Sequence, residues 1–190
     1  MKRVCVVLLA CLLSAGAAKA GAQVVHDGTW RQPSLTIGAM GSFFQPDYMG
    51  GNAPNASPQY LVGIGTYLDL KLTRWVQAEG EARVLRFHQY HNIYQDNYLI
   101  GPKVPIHTWG PVTPYGKVLF GITNMNFEYN VTNCHCATIA YGGGADVKLD
   151  DHWSLRAIDF EYQQFPDWLV GQTAQLHPYG FSVGLGYKLF

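Results

Sequence analysis

From Tyr179 to Phe190 large apolar positions alternate with small or charged ones almost without a break. Tyr179, Phe181, Val183, Leu185, Tyr187 and Leu189 share one face. Gly180, Ser182, Gly184, Gly186 and Lys188 share the other. A period of two belongs to an extended strand, whose successive side chains point to opposite sides. Two settings suit such a strand. In a soluble sheet the apolar face packs on a core; in a membrane barrel it meets lipid, while the small and polar face lines a crowded interior.

Seven earlier segments carry related patterns. Ser34 to Phe44 puts Leu35, Ile37, Ala39 and Phe43 on one face. Tyr60 to Lys71 opposes Tyr60, Val62, Ile64, Thr66, Leu68 and Leu70 to Gly63, Gly65, Tyr67, Asp69 and Lys71. Trp75 to Phe87 opposes Val76, Ala78, Gly80, Ala82 and Val84 to Gln77, Glu79, Glu81 and Arg83. Tyr98 to Ile106 is interrupted by Pro102 and Pro105, which a paired strand interior tolerates poorly. Pro114 to Asn124, Ile139 to Leu149 and Trp153 to Gln163 complete a set of eight. The connections alternate in expected length: 45–59, 88–97, 125–138 and 164–177 are long, and 72–74, 107–113 and 150–152 are shorter.

This predicts an all-β, eight-stranded antiparallel up-and-down barrel. Short turns on one rim and longer loops on the other, with both chain ends at the short-turn rim, fit a transmembrane barrel. Trp75, Trp109 and Trp153 fall near the short turns, and Tyr60, Tyr98, Tyr162 and Tyr179 near the long loops. Two aromatic girdles of this kind are expected at the two membrane interfaces. A lipocalin-like soluble barrel would invert the faces, with charge outside.

The start of the chain agrees. Lys2 and Arg3 precede an apolar stretch from Val4 to Leu13, then Ala18-Lys19-Ala20 offers small residues for cleavage, so residues 1–20 read as a secretory signal, with an alternative cut after Ala22. Leu8-Leu9-Ala10-Cys11 only faintly matches a lipoprotein box. Residues 21–33 would form a short periplasmic segment and 34–190 the barrel, placed in a Gram-negative outer membrane. After residue 20 no run reaches the roughly 20 apolar residues of a spanning helix, so a membrane-resident chain must cross as a closed sheet. The formal net charge is zero and no basic run occurs, which argues against a nucleic-acid partner.

The chain resembles the OmpA-type eight-stranded outer-membrane barrel domain, without its peptidoglycan-binding domain. Ala140-Tyr141-Gly142-Gly143-Gly144-Ala145-Asp146-Val147-Lys148-Leu149, then His152-Trp153-Ser154-Leu155-Arg156 and Asp159-Phe160-Glu161-Tyr162, read like its sixth strand, tight turn and seventh strand. Pro114-Tyr115-Gly116 and Leu119-Phe120-Gly121 are similar to its fifth. The resemblance implies a terminal phenylalanine, here Phe190, read by the barrel assembly machinery. Lys188 stands where that family usually has an aromatic residue.

Glu79, Glu81, Arg83, Lys117, Asp146, Lys148, Asp159, Glu161 and Lys188 are expected in the lumen. Unpaired buried charge is costly, so they should form a structural salt-bridge network; a narrow gated ion path is the functional alternative. Paired Glu79 and Glu81 also suggest acid–base work, which interior burial beside Arg83 opposes. Cys134-His135-Cys136 is expected in the third long loop, as a disulfide across one residue, as plain loop cysteines, or as a zinc or copper site completed by His88, His91 or His177. Arg86 continues the lipid-facing phase to the rim, where it would either pair with a lipopolysaccharide phosphate or be solvated. His88 is the one candidate for outer-leaflet lipid catalysis. Asn130-Val131-Thr132 matches a glycosylation acceptor of little meaning in this setting. No cofactor is expected, and the expected partners are outer-membrane lipid, lipopolysaccharide and the assembly machinery.

Overall fold

The computed structural model describes residues 33–47, 60–87, 93–126, 133–166 and 177–190. Eight strands follow in order: β1 (Ser34–Gln45), β2 (Leu61–Lys71), β3 (Gln77–Phe87), β4 (Tyr94–Pro105), β5 (Val112–Asn126), β6 (Asn133–Lys148), β7 (Trp153–Gln164) and β8 (Tyr179–Lys188). Each pairs antiparallel with the next, and β8 returns to β1 from Thr36↔Lys188 to Gln45↔Tyr179, which closes the cylinder. Closure leaves no unpaired edge.

The alternation resolves in one direction. Ile64, Ile100, Val183 and Leu185 are exposed on the outer surface. Glu79, Arg83, Lys117 and Glu161 are buried inside. Where the inward face is small, a neighbour fills the space: a Cβ on Gly38 of β1 would lie 2.2 Å from the Tyr67 ring. Trp75, Trp109 and Trp153 are exposed together at the short-turn rim.

That rim is built from local hydrogen bonds. Thr73 accepts the Val76 N–H on Oγ1 at 3.0 Å. Asp150 accepts the N–H groups of His152 and Trp153 at 2.7 and 2.6 Å, and these hold its carboxyl below the ordinary value. A depressed pKa stabilises the fold above the unfolded value and is lost below it. Asp150→Ala should therefore lower thermal stability at neutral pH, and the gap to wild type should close as pH drops below about 4.

Three expectations change. β4 begins at Tyr94 and runs through Pro102, because the β4–β5 ladder is interrupted between Ile100↔Phe120 and Lys103↔Lys117, where a missing N–H does least harm. β5 and β6 are longer than expected, with 15 and 16 residues. The second and third connections on the long-loop rim therefore shrink to 88–93 and 127–132, and only 46–60 and 165–178 stay long. Cys134-His135-Cys136 accordingly lies on β6, with Cys134 opposite Met125 and Cys136 opposite Thr123. Its polar flanks disguised the alternation Cys134, Cys136, Thr138, Ala140. His88, His91, Asn130-Val131-Thr132 and the signal segment fall outside the described residues.

Candidate functional site

The lumen is filled in layers. The middle layer is ionic. Arg83 on β3 donates to Glu81 at 2.8 Å and to both oxygens of Glu161 on β7, at 3.0 and 3.2 Å. Lys117 on β5 reaches Glu81 and Asp159 at 2.6 Å and Glu79 at 3.2 Å. Arg156 on β7 spans Glu79 at 2.9 Å and Asp69 at 3.0 Å, with its guanidinium 3.7 Å from the Tyr67 ring centre. Lys103 on β4 joins Asp69 at 3.0 Å to Asp146 at 2.7 Å and lies 3.9 Å from the Tyr115 ring centre.

Three members of this network escape the sequence pattern. Arg156 has the wrong parity: counted from Asp159 it should face lipid. A β-bulge between Arg156 and Asp159, pairing with Gly184 and Ser182, inserts one residue and turns Arg156 inward. Lys103 sits between Pro102 and Pro105, in the segment the prolines obscure. Asp69 lies on the charged face of β2, but its partners on β4 and β7 meet it only after closure.

Two expected members lie elsewhere. Lys148 is exposed at the short-turn rim and pairs with Asp151 at 2.7 Å. Lys188 ends β8, exposed, at the same rim. Both have the inward parity, yet the strands end there and the side chains reach solvent. The network thus holds six carboxylates (Asp69, Glu79, Glu81, Asp146, Asp159, Glu161) against four cations (Arg83, Lys103, Lys117, Arg156). The acidic excess borders a polar vestibule of about 360 Å³ at the short-turn mouth, where Lys71, Arg74 and Lys148 join Asp69 and Asp146.

Above the ionic layer lies an amide and hydroxyl layer. Gln95 donates to Gln163 at 2.6 Å and to Asn97 at 3.0 Å, and Gln163 donates to Glu161 at 2.6 Å. Thr138 and Thr123 continue it. Nearest the long-loop rim the filling becomes apolar, with Phe44, Leu61, Leu85 and Ile93 in one cluster and Met125, Cys134, Cys136 and Phe165 in another.

The ligand chemistry is limited. Glu79, Glu81 and Asp159 converge closely enough to hold a metal ion, but the Lys117 ammonium sits among them and supplies the positive charge. The same contacts remove the acid–base reading of Glu79 and Glu81, whose oxygens are engaged. Cys134 and Cys136 are joined as a disulfide on the inner face. His135, between them, points outward and contacts Asn124 at 2.6 Å through Nδ1, so the three side chains do not converge on one metal. His177 stacks on Tyr162. In oxidised protein, alkylation should leave Cys134 and Cys136 unmodified until a reductant is added, as read by mass spectrometry of the peptide that carries them.

At the long-loop rim Arg86 is exposed beside a register shift that pairs Val62 with Phe87 and Ile64 with Val84, so parity alone does not set its direction. Its Nε donates to Asp96 at 3.0 Å, its Nη2 pairs with the other Asp96 oxygen, and the guanidinium covers the Tyr94 ring at 4.4 Å. The charge assigned to a lipid phosphate thus already has a carboxylate beside it.

A closed antiparallel barrel with an apolar outside and ionised inside is the arrangement of a transmembrane barrel. Over residues 6–188 the sequence matches the family described as "Outer membrane protein beta-barrel domain". The chain belongs to this family. The outer-membrane barrel also resembles solved structures at low identity. The N-terminal β-barrel domain of Pseudomonas aeruginosa OprF is 12% identical, with TM-score 0.59, covering 82% of this chain and 97% of that one. Neisserial surface protein A is 9% identical, with TM-score 0.55 and coverages of 82% and 96%. The Pseudomonas aeruginosa outer membrane protein OprG is 12% identical, with TM-score 0.55 and coverages of 82% and 95%. These likenesses carry the fold alone. A comparison with curated protein sequences gives no match.

Proposed function

We propose that this outer-membrane barrel is a closed, non-catalytic scaffold that anchors in lipid and presents its long-loop rim to the cell exterior, with loops 46–60 and 165–178 as its main contact surfaces. One observation carries this reading: Arg83, Lys103, Lys117 and Arg156 are buried and tied by ion pairs to carboxylates on several strands. An eight-stranded interior is only wide enough for side chains, and the amide and apolar layers above the ions leave the lumen packed toward the loops. Residues 1–20 act as a cleaved export signal, so Edman degradation of the mature protein should begin at Gly21.

A narrow channel is the second reading, favoured by the polar vestibule that opens the short-turn end. Planar-bilayer recording separates the two. A closed scaffold gives no steady unitary conductance at moderate voltage; a stable, reproducible step would replace it with the channel. An outer-leaflet lipid enzyme centred on His88 would reveal itself as lipid turnover abolished by His88→Ala.

A further inference from the structure

On the outer surface β3 is unlike its neighbours. From Ala78 to Val84 its outward residues are Ala78, Gly80, Ala82 and Val84, before Arg86 and Phe87 are both exposed at the rim, and a Cβ on Gly80 would meet nothing within 4 Å. Thr66 and Leu68 of β2 form one wall over this low floor, and Tyr98 and Ile100 of β4 form the other, around a groove of about 370 Å³. Thr66 spends its hydroxyl on the Gly38 carbonyl at 2.8 Å, so that wall is effectively apolar. In a bilayer such a groove lies in the hydrocarbon, and its natural filling is an acyl chain.

Just above this column, where a register shift against β2 places one extra residue between Val84 and Phe87, Arg86 is exposed at the rim. Asp96 engages Nε and Nη2, which leaves Nη1 outside the pair on a side chain that is 48% exposed. A guanidinium carries five N–H donors, and its fork suits phosphate. Asp96 and Tyr94 thus hold the cation in place while part of it faces the interface. From Gly80 to Arg86 the strand climbs about 20 Å. At a tilt of roughly 40° that is a depth of about 15 Å, one leaflet of a core roughly 30 Å thick.

We propose that the β2–β3–β4 face is a lipid A site: one acyl chain of lipopolysaccharide lies in the groove over Gly80 and Ala82, and a phosphate meets Arg86. The site rests on the long-loop rim facing outward and not on the closed lumen, so a conducting barrel would leave it standing.

The test is native mass spectrometry of the full mature protein in detergent, titrated with bis-phosphorylated lipid A or its dephosphorylated form. Heat-dependent gel migration reports folding of each variant. Gly80→Leu fills the groove, and it should lower lipid A occupancy at least about tenfold. Gly41→Leu, on the outer face of β1 with equally open space, should leave occupancy unchanged. Arg86→Gln should reduce binding of the phosphorylated form to the level of the dephosphorylated one. The site is overturned if folded Gly80→Leu binds like wild type or if Gly41→Leu loses as much. Loss of a dimer in Gly80→Leu at unchanged lipid occupancy would make a second copy the occupant and also overturn it. Should Gly80→Leu fail to fold, Arg86→Gln decides: equal preference for phosphorylated lipid A in variant and wild type rejects the proposal.

Discussion

Replacing Arg156 by alanine should cost the barrel about 3–5 kcal/mol, the penalty for breaking a buried ion pair by removing one partner. Arg156 is fully buried and contacts Asp69, Glu79, Glu81 and Asp159 within 3.4 Å. Its loss leaves six carboxylates with three cations, and Glu79, Glu81, Asp159 and Glu161 among them are buried. It also removes the flat group stacked on Tyr67. Arg156→Lys should recover part of the loss, since a single ammonium restores charge but not the fork that reaches both Glu79 and Asp69. Lys148→Ala, which breaks an exposed rim pair with Asp151, should change stability by less than about 1 kcal/mol. Urea titration of barrel refolded into phospholipid vesicles, read by gel migration, measures all three. An Arg156→Ala cost no larger than that of Lys148→Ala would mean that the lumen is wet and the ion pairs are incidental.

Val183→Arg should cost about 2–4 kcal/mol in the same assay. Val183 lies midway along β8 on the outer face and is 53% exposed. In water, an exposed valine is a mild site for arginine. In a bilayer it sits at mid-depth, and the guanidinium must either leave water or drag the interface toward it. The expected gradient along β8 is the informative part: Leu189→Arg, beyond the strand end at the short-turn rim, should cost about 0–1 kcal/mol. Equal, small effects at 183 and 189 would point to an aqueous surround.

How much of this was written in the sequence differs by strand. β8, β1, β2 and β3 are read directly, because a period of two survives any error at the ends, even though Met40, Phe44, Leu61 and Leu85 place large apolar groups on the inward face as well. β4 was obscured by Pro102, whose missing N–H falls where pairing with β5 is already interrupted. The upper part of β6 was obscured because Asn133, Cys134, His135 and Cys136 look like a loop until β5 is placed beside them. Within the lumen, Glu79, Glu81, Arg83, Lys117, Asp159 and Glu161 follow from parity alone. Arg156 does not, because a bulge shifts parity by one residue and nothing in the local sequence marks its position. A count of charge was the available signal: the expected inward set kept Lys148 and Lys188 as counter-ions, and once the strand ends carried both to the rim, the remaining carboxylates required cations from somewhere else in the chain. Lys103 and Arg156 supply them.

In this barrel the apolar faces look outward into hydrocarbon and the ionised ones inward. Nitroxide labels answer this directly when placed one at a time at positions 181, 183 and 185 of β8, in a background with Cys134 and Cys136 replaced by serine and the protein in lipid vesicles. The structure predicts that all three labels collide freely with dissolved oxygen and little with a water-soluble nickel complex, and most strongly so at 183. Labels that are shielded from both, as in a packed core, or that meet the nickel complex as readily as oxygen, would contradict it.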